Sequence, residues 1–155
     1  MAIPFFSIDF KLSEWTSFFS ASLGFRSRIK QQKELVDLLS NRFPDKKVTL
    51  FPSARMAFYF VLKATFKVGD EVIFPVMGFP LYVKIALQLG LKPIFVDVED
   101  RHLTIDVKQL ESAITDKTKG IVVTHLFGYP CNMDKVMEIA NKHNIPVIED
   151  CAQSY

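Results

Sequence analysis

Gly120-Ile121-Val122-Val123-Thr124-His125-Leu126-Phe127, then a helical stretch opened by Asn132, then Pro146-Val147-Ile148-Glu149-Asp150: this segment decides the fold class of the chain. The two outer runs are apolar without polar alternation, as parallel strands are when both their faces are covered. Between them Asn132 is a suitable N-cap, and Met133, Val136, Met137 and Ala140 form an apolar stripe at helical spacing. Working outward, the same alternation recurs. Strands are predicted at Val48–Phe51, Glu71–Val76 and Pro93–Val98. Helices are predicted from the Ser53 cap to about Lys67, from Phe79 to Leu89 with Gly90 as the stop, and after the Asp106 cap, with Val107, Leu110 and Ile114 on one face. Repeated strand-helix-strand units predict an α/β fold, a three-layer αβα sandwich with a mostly parallel sheet.

The totals narrow the function classes. At 155 residues the chain is long enough for one domain with a real core. A net charge of +2 leaves no electrostatic case for nucleic acid or an acidic membrane surface. Cys131 and Cys151 fit no metal or redox spacing, and the three histidines show no metal-ligand pattern, so no metal is expected. The N-terminus lacks a basic leader. The apolar stretch Met56–Phe66 contains Lys63 and is too short for a membrane span, so a soluble cytoplasmic protein is expected. Residues 1–47 differ from the remainder, 48–155. They predict two helices, Leu12–Phe19 and Gln31–Phe43, separated by Ala21-Ser22-Leu23-Gly24-Phe25. Phe5, Trp15, Phe18 and Phe19 offer more apolar surface than two short helices hide, so this segment is expected to pack on the sheet, on a further domain or, preferably, on a second subunit.

Four spots fall at the carboxyl ends of predicted strands, where ligands bind in open α/β sheets. Phe51-Pro52-Ser53-Ala54-Arg55 is a strand-to-helix turn whose free N–H groups suit a phosphate, with Arg55 adding a charge, although many capped helices bind nothing. Gly78 permits close approach of a ligand, and Phe79 either stacks on a flat ring or is a core residue. His125 is either a ligand contact or acid–base group, or a satisfied polar residue lining its loop. Asp150 at a strand end is costly unless it meets a cation, such as a protonated ring nitrogen, or caps the next helix. Gln153 is near enough to share its ligand. Together these supply a phosphate cradle, a stacking ring and an anion opposite a ring nitrogen, the parts needed to hold pyridoxal 5'-phosphate (PLP).

The chain resembles the DegT/DnrJ/EryC1/StrS aminotransferases, fold type I PLP enzymes that often act on nucleotide sugars. The resemblance rests on Gly69-Asp70-Glu71-Val72-Ile73, Lys92-Pro93-Ile94-Phe95-Val96-Asp97-Val98, Thr104-Ile105-Asp106, Ile114-Thr115-Asp116-Lys117-Thr118-Lys119, His125-Leu126-Phe127-Gly128 and Pro146-Val147-Ile148-Glu149-Asp150-Cys151-Ala152-Gln153. Ile3-Pro4-Phe5 also resembles the family's opening. It implies the first part of a PLP-binding large domain, with Asp150 at the ring nitrogen, Gln153 beside the ring hydroxyl and Phe79 on the ring face. Ser53, Ala54 and Arg55 would stand at the phosphate. Ser53-Ala54-Arg55 replaces the family's commoner Ser-Gly-Thr, exchanging a hydroxyl for a guanidinium, and Met77-Gly78 replaces a more usual polar residue before the aromatic.

By the same resemblance the Schiff-base lysine, the remaining strands and the small domain come after Tyr155, so the large domain is expected to be incomplete at its C-terminus. No lysine in the chain, Lys84 and Lys119 included, matches that position. The complete enzyme is expected to move an amino group from an amino acid, with glutamate the donor of choice, to a keto sugar, as a homodimer. The 155 residues alone are expected to be inactive. A PLP-dependent sugar dehydratase of the same family, with histidine in place of the lysine, and a noncatalytic truncated paralogue that binds or regulates stand as alternatives. A Rossmann-type binder is disfavoured, since the Phe51–Arg55 turn has no glycine.

Overall fold

The computed structural model describes residues 15, 16, 19, 20, 22, 23 and 28–154. It divides into two compact units, Met1–Leu50 and Phe51–Tyr155.

In the first unit one long helix, α1, spans Arg28–Arg42. The earlier predicted helix lies mostly outside the described residues, as do Phe5 and Phe18. Trp15, Thr16, Phe19, Ser20 and Ser22 are helical, so helical character reaches into the segment read as a separator. Val48–Leu50 is irregular rather than a strand, and so is Phe51 at the start of the second unit. The prediction at Val48–Phe51 is thus corrected. A strand is defined by its pairing, and these residues have no ladder partner among the described ones.

The second unit is a parallel four-stranded sheet in the order β2-β1-β3-β4, with β1 at Glu71–Pro75, β2 at Lys92–Val96, β3 at Thr118–Thr124 and β4 at Val147–Asp150. Helix α2, Ala54–Thr65, is opened by the Ser53 hydroxyl, which accepts from Met56 N at 3.3 Å. Helix α3, Pro80–Gln88, starts with proline at its first position, where the missing N–H costs nothing. Asp106 caps the short α4, Val107–Leu110, and Asn132 caps α5, Met133–His143. The three caps at Ser53, Asp106 and Asn132 stand where the sequence put them.

Pleating sends alternate side chains to two cores. One face buries Ile73, Val96, Ile121 and Val123 with Leu110 of α4 and Val136, Ile139 and Ala140 of α5. The other buries Val72, Phe74 and Val122 with Phe58 and Leu62 of α2 and Tyr82, Ile85 and Ala86 of α3. This is the αβα sandwich expected, and each fully buried Leu or Ile stabilises it by about 1.5–3 kcal/mol. The central strands β1 and β3 are buried almost throughout, whereas the outer strands β2 and β4 are half-exposed. Because β2 lies on one side of β1 and β3 on the other, the chain changes direction between β1 and β3. The crevice beyond their carboxyl ends is where such a sheet receives ligands. Among the described residues no helix is long and apolar enough to cross a membrane.

Candidate functional site

The site is built from two facts of register. Thr124 pairs with Asp150 in the β3–β4 ladder, so both side chains project from the same face. His125, one residue on, and Glu149, one residue back, project from the opposite face.

On the first face the N-terminal turns of α2 and α3 meet. Phe58 stacks on Tyr82 with ring centroids 4.0 Å apart, and Tyr82 meets Phe79 edge to face at 5.3 Å and 82°. Burial, and after it the Asp150 charge, push the Tyr82 phenol above its ordinary range. Phe79 and the Asp150 charge thus both act on Tyr82, and the Ser53 turn opens the helix that carries Phe58. Phe79 is 50% exposed, so with Tyr82 packed against it at a right angle much of its ring stays open. Asp150 is half-buried; Oδ1 accepts from Ala152 N at 3.1 Å, and Oδ2 has no hydrogen-bond partner among the described residues. A Cβ on Gly78 would lie 3.5 Å from the buried Thr124 hydroxyl, so the loop after β1 runs close over the end of β3. A cavity of about 320 Å³ opens here, walled by Phe79, Phe95, Gly78 and Thr124, with Lys84 at its edge. Ala54 and Arg55 are exposed at the free N-terminus of α2, and the guanidinium has no partner among the described residues.

The second face is internally satisfied. His125 is 5% exposed, and its Nδ1 accepts from Cys131 N at 2.9 Å. That bond puts the ring proton on Nε2, which donates to Glu149 Oε2 at 3.1 Å. Cys131 Sγ donates to Thr124 O at 3.3 Å. These bonds buckle the chain after β3, where the sequence predicted the strand to continue to Phe127. Leu126–Gly128 is instead a tight turn, and Phe127 is left-handed at φ 56°, ψ 22°. Such a conformation costs a bulky residue about 1–2 kcal/mol. Phe127 N donates to Gln153 Oε1 at 2.7 Å, which joins the loop to the segment after β4.

Of the two roles open to His125 from sequence, satisfied loop residue is the one its partners describe. Nor does the nearby donor set suit a metal. His125, Glu149 and Cys151 atoms lie within 4.8 Å of one another, but the facing imidazole nitrogen carries a proton instead of a free lone pair. Burial, then Glu149 and Asp150, push the Cys151 thiol up, which keeps it protonated and a poor nucleophile.

A larger cavity of about 750 Å³ lies between the Asp97–Gln109 segment and Asn132. Three of its acids are engaged in local turns: Asp97 accepts from Val98 N, Glu99 from Arg101 N and His102 N, and Asp106 from Lys108 N. The Arg101 N–H contact, the largest cause, helps hold Glu99 below the usual carboxylate range.

Sequence reasoning did not single out Thr124 or Tyr82. Thr124 reads as one more β-branched strand residue, yet its parity with Asp150, counted along two adjacent strands, marks its face. Tyr82 reads as helix interior, although its spacing of three from Phe79 places the rings on neighbouring turns.

The chain matches a model of the DegT/DnrJ/EryC1/StrS aminotransferase family over residues 25–155. Over 86 residues, 56% of this chain, it is 45% identical to the UDP-N-acetyl-3-dehydro-alpha-D-glucosamine 3-aminotransferase of Acidithiobacillus ferrooxidans. Over 87 residues, also 56% of the chain, it is 41% identical to the GDP-perosamine synthase of Escherichia coli O157:H7. These matches span only 23% and 24% of the relatives' own lengths. Among solved structures, the E. coli GDP-4-keto-6-deoxy-D-mannose-3-dehydratase with bound hydrated PLP superposes with a TM-score of 0.82 at 26% identity, covering 95% of this chain and 40% of that one. The Bacillus subtilis protein ntda, with bound cofactor PMP, superposes with a TM-score of 0.74 at 32% identity, covering 79% and 28%.

Proposed function

Since the chain belongs to the DegT/DnrJ/EryC1/StrS aminotransferase family, we propose that it forms the ring-binding part of a PLP pocket. The complete enzyme transfers an amino group from an amino acid, with glutamate the expected donor, to a keto sugar carried on a nucleotide. The observation that carries this reading is Asp150. Its carboxylate ends a parallel strand with Oδ2 unpartnered among the described residues, near the Tyr82 ring that Phe79 also touches.

The residues fit the cofactor group by group. Asp150 Oδ2 offers an acceptor to a protonated pyridine nitrogen and favours that protonated form. Phe79 presents its exposed ring to one face of the pyridine, braced edge-on by Tyr82. Gln153, with Oε1 engaged by Phe127 N, keeps its amide N–H groups for the ring hydroxyl. The N–H groups of Ala54 and Arg55, the guanidinium and the helix dipole are available to the phosphate. Bound there, PLP supplies an electron sink for amino-group transfer. The contacts offered by these residues are noncovalent.

The sugar dehydratase reading stands beside it, because a PLP-bound dehydratase covers 95% of the chain at a TM-score of 0.82. Both readings use the same ring-binding residues. The exposed Ile29, Leu35, Leu38 and Phe43 support a homodimer through residues 1–47.

Equilibrium dialysis against PLP tests the pocket. Phe79→Ala is expected to weaken binding about three- to tenfold, the worth of one aromatic stack, while the urea midpoint stays close to that of the parent. Unaltered affinity would remove Phe79 from the site.

A further inference from the structure

We propose that His125 is a positioning residue for Gln153, acting through the left-handed Phe127. The proposal rests on the PLP reading for its consequence, not for its geometry. His125 Nδ1 accepts a hydrogen bond from Cys131 N, and Nε2–H donates one to Glu149 Oε2, so the buried imidazole ties both ends of the loop to β4. The Cys131 thiol, bonded to Thr124 O, closes the same loop against the end of β3. Held at its base in this way, the loop turns through Phe127 at φ 56° and Gly128 at φ 83°. Gly128 takes the positive φ that side chains rarely adopt, and it lies beside the segment after β4, since a Cβ there would be 3.4 Å from Gln153 O.

The consequence is chemical. A side-chain amide that nothing engages presents either its oxygen or its nitrogen to a ligand. The Phe127 N–H at 2.7 Å accepts only one answer: Oε1 turns to the loop, and the Nε2 protons have no partner among the described residues. Gln153 is therefore a committed donor. That selects for a ligand with an acceptor oxygen at the ring edge, and for an ionised ring hydroxyl over a neutral one. The commitment is made by the backbone of the opposite loop, and that backbone is held by His125.

The test uses the full chain and two readouts. The first needs no ligand: proton–nitrogen spectra report the Gln153 side-chain amide pair and hydrogen exchange at the Phe127 amide. In His125→Asn, whose side-chain oxygen still accepts from Cys131 N but no longer bridges to Glu149, the Gln153 pair should shift and Phe127 exchange should accelerate about tenfold. The exposed Glu149→Ala variant should move the same signals, which keeps the test decisive if a change at His125 impairs folding. The second readout is PLP affinity in a double-mutant cycle. His125→Asn and Gln153→Ala should each weaken binding, and the double variant should bind no more weakly than Gln153→Ala alone. Unmoved Gln153 and Phe127 signals in both His125→Asn and Glu149→Ala would overturn the proposal, and so would additive losses in the cycle. If the parent chain fails to bind PLP, the cofactor reading falls, and the spectra still decide whether His125 positions Gln153.

Discussion

The two sides of one strand end behave in opposite ways. Asp150 and Thr124 project to a side with an open cavity, a half-exposed aromatic ring and a carboxylate oxygen unpartnered among the described residues. Glu149 and His125, each next in sequence to one of those two, project to a side where the buried imidazole has a partner on each nitrogen. Four titratable or polar groups within a few residues thus divide into binding and bracing roles by strand parity alone. Unspent hydrogen-bonding capacity, more than residue type, marks the side prepared for a ligand.

The largest effect expected from breaking this contrast is on the braced side. His125→Leu removes the acceptor of a buried N–H and the donor to Glu149, and should lower stability by about 3 kcal/mol, read from urea unfolding. A loss below about 0.5 kcal/mol would mean that the loop holds its shape without the imidazole.

A smaller effect sharpens the open side through pH. Burial, then the Asp150 charge, raise the Tyr82 phenol, so the folded state keeps this proton longer than the unfolded chain does. The stability tied to Tyr82 is therefore fully present below the unfolded phenol value, about pH 10, and falls as pH rises through and above it. Urea midpoints at pH 8 and pH 11 measure it. Tyr82→Phe should lose less between the two than the parent, because the substituted ring has no proton to release. Parallel losses would mean that burial and the Asp150 charge do not raise the phenol.

Much of this was legible in the sequence, and the exceptions share a cause. The four paired strands announce themselves as apolar runs because parallel strands covered on both faces have no polar side to show. The caps at Ser53, Asp106 and Asn132 are local chemistry and were readable locally. Val48–Phe51 has strand composition without a strand, because pairing depends on a neighbour that local sequence does not supply. Phe127 looked like the last residue of β3. Its left-handed turn follows from bonds between His125 and Cys131 and between Phe127 and Gln153, 26 positions away. Asp150 and Phe79 stood out because acids and aromatics at strand ends are conspicuous. Thr124 did not, since its hydroxyl acquires meaning only from register with Asp150 and from the nearby Gly78 backbone.

The central claim is that the Asp150 side holds the ring of PLP. The most direct measurement is the dissociation constant of PLP, by equilibrium dialysis, for the parent chain, Asp150→Asn and Cys151→Ser. Asp150→Asn changes a carboxylate to an amide on the open side, and Cys151→Ser alters the next residue, which projects to the other. The account expects saturable binding by the parent, at least about tenfold weaker binding by Asp150→Asn, as for loss of one charge-assisted hydrogen bond, and parent-like binding by Cys151→Ser. Equal affinity in the parent and Asp150→Asn would contradict it.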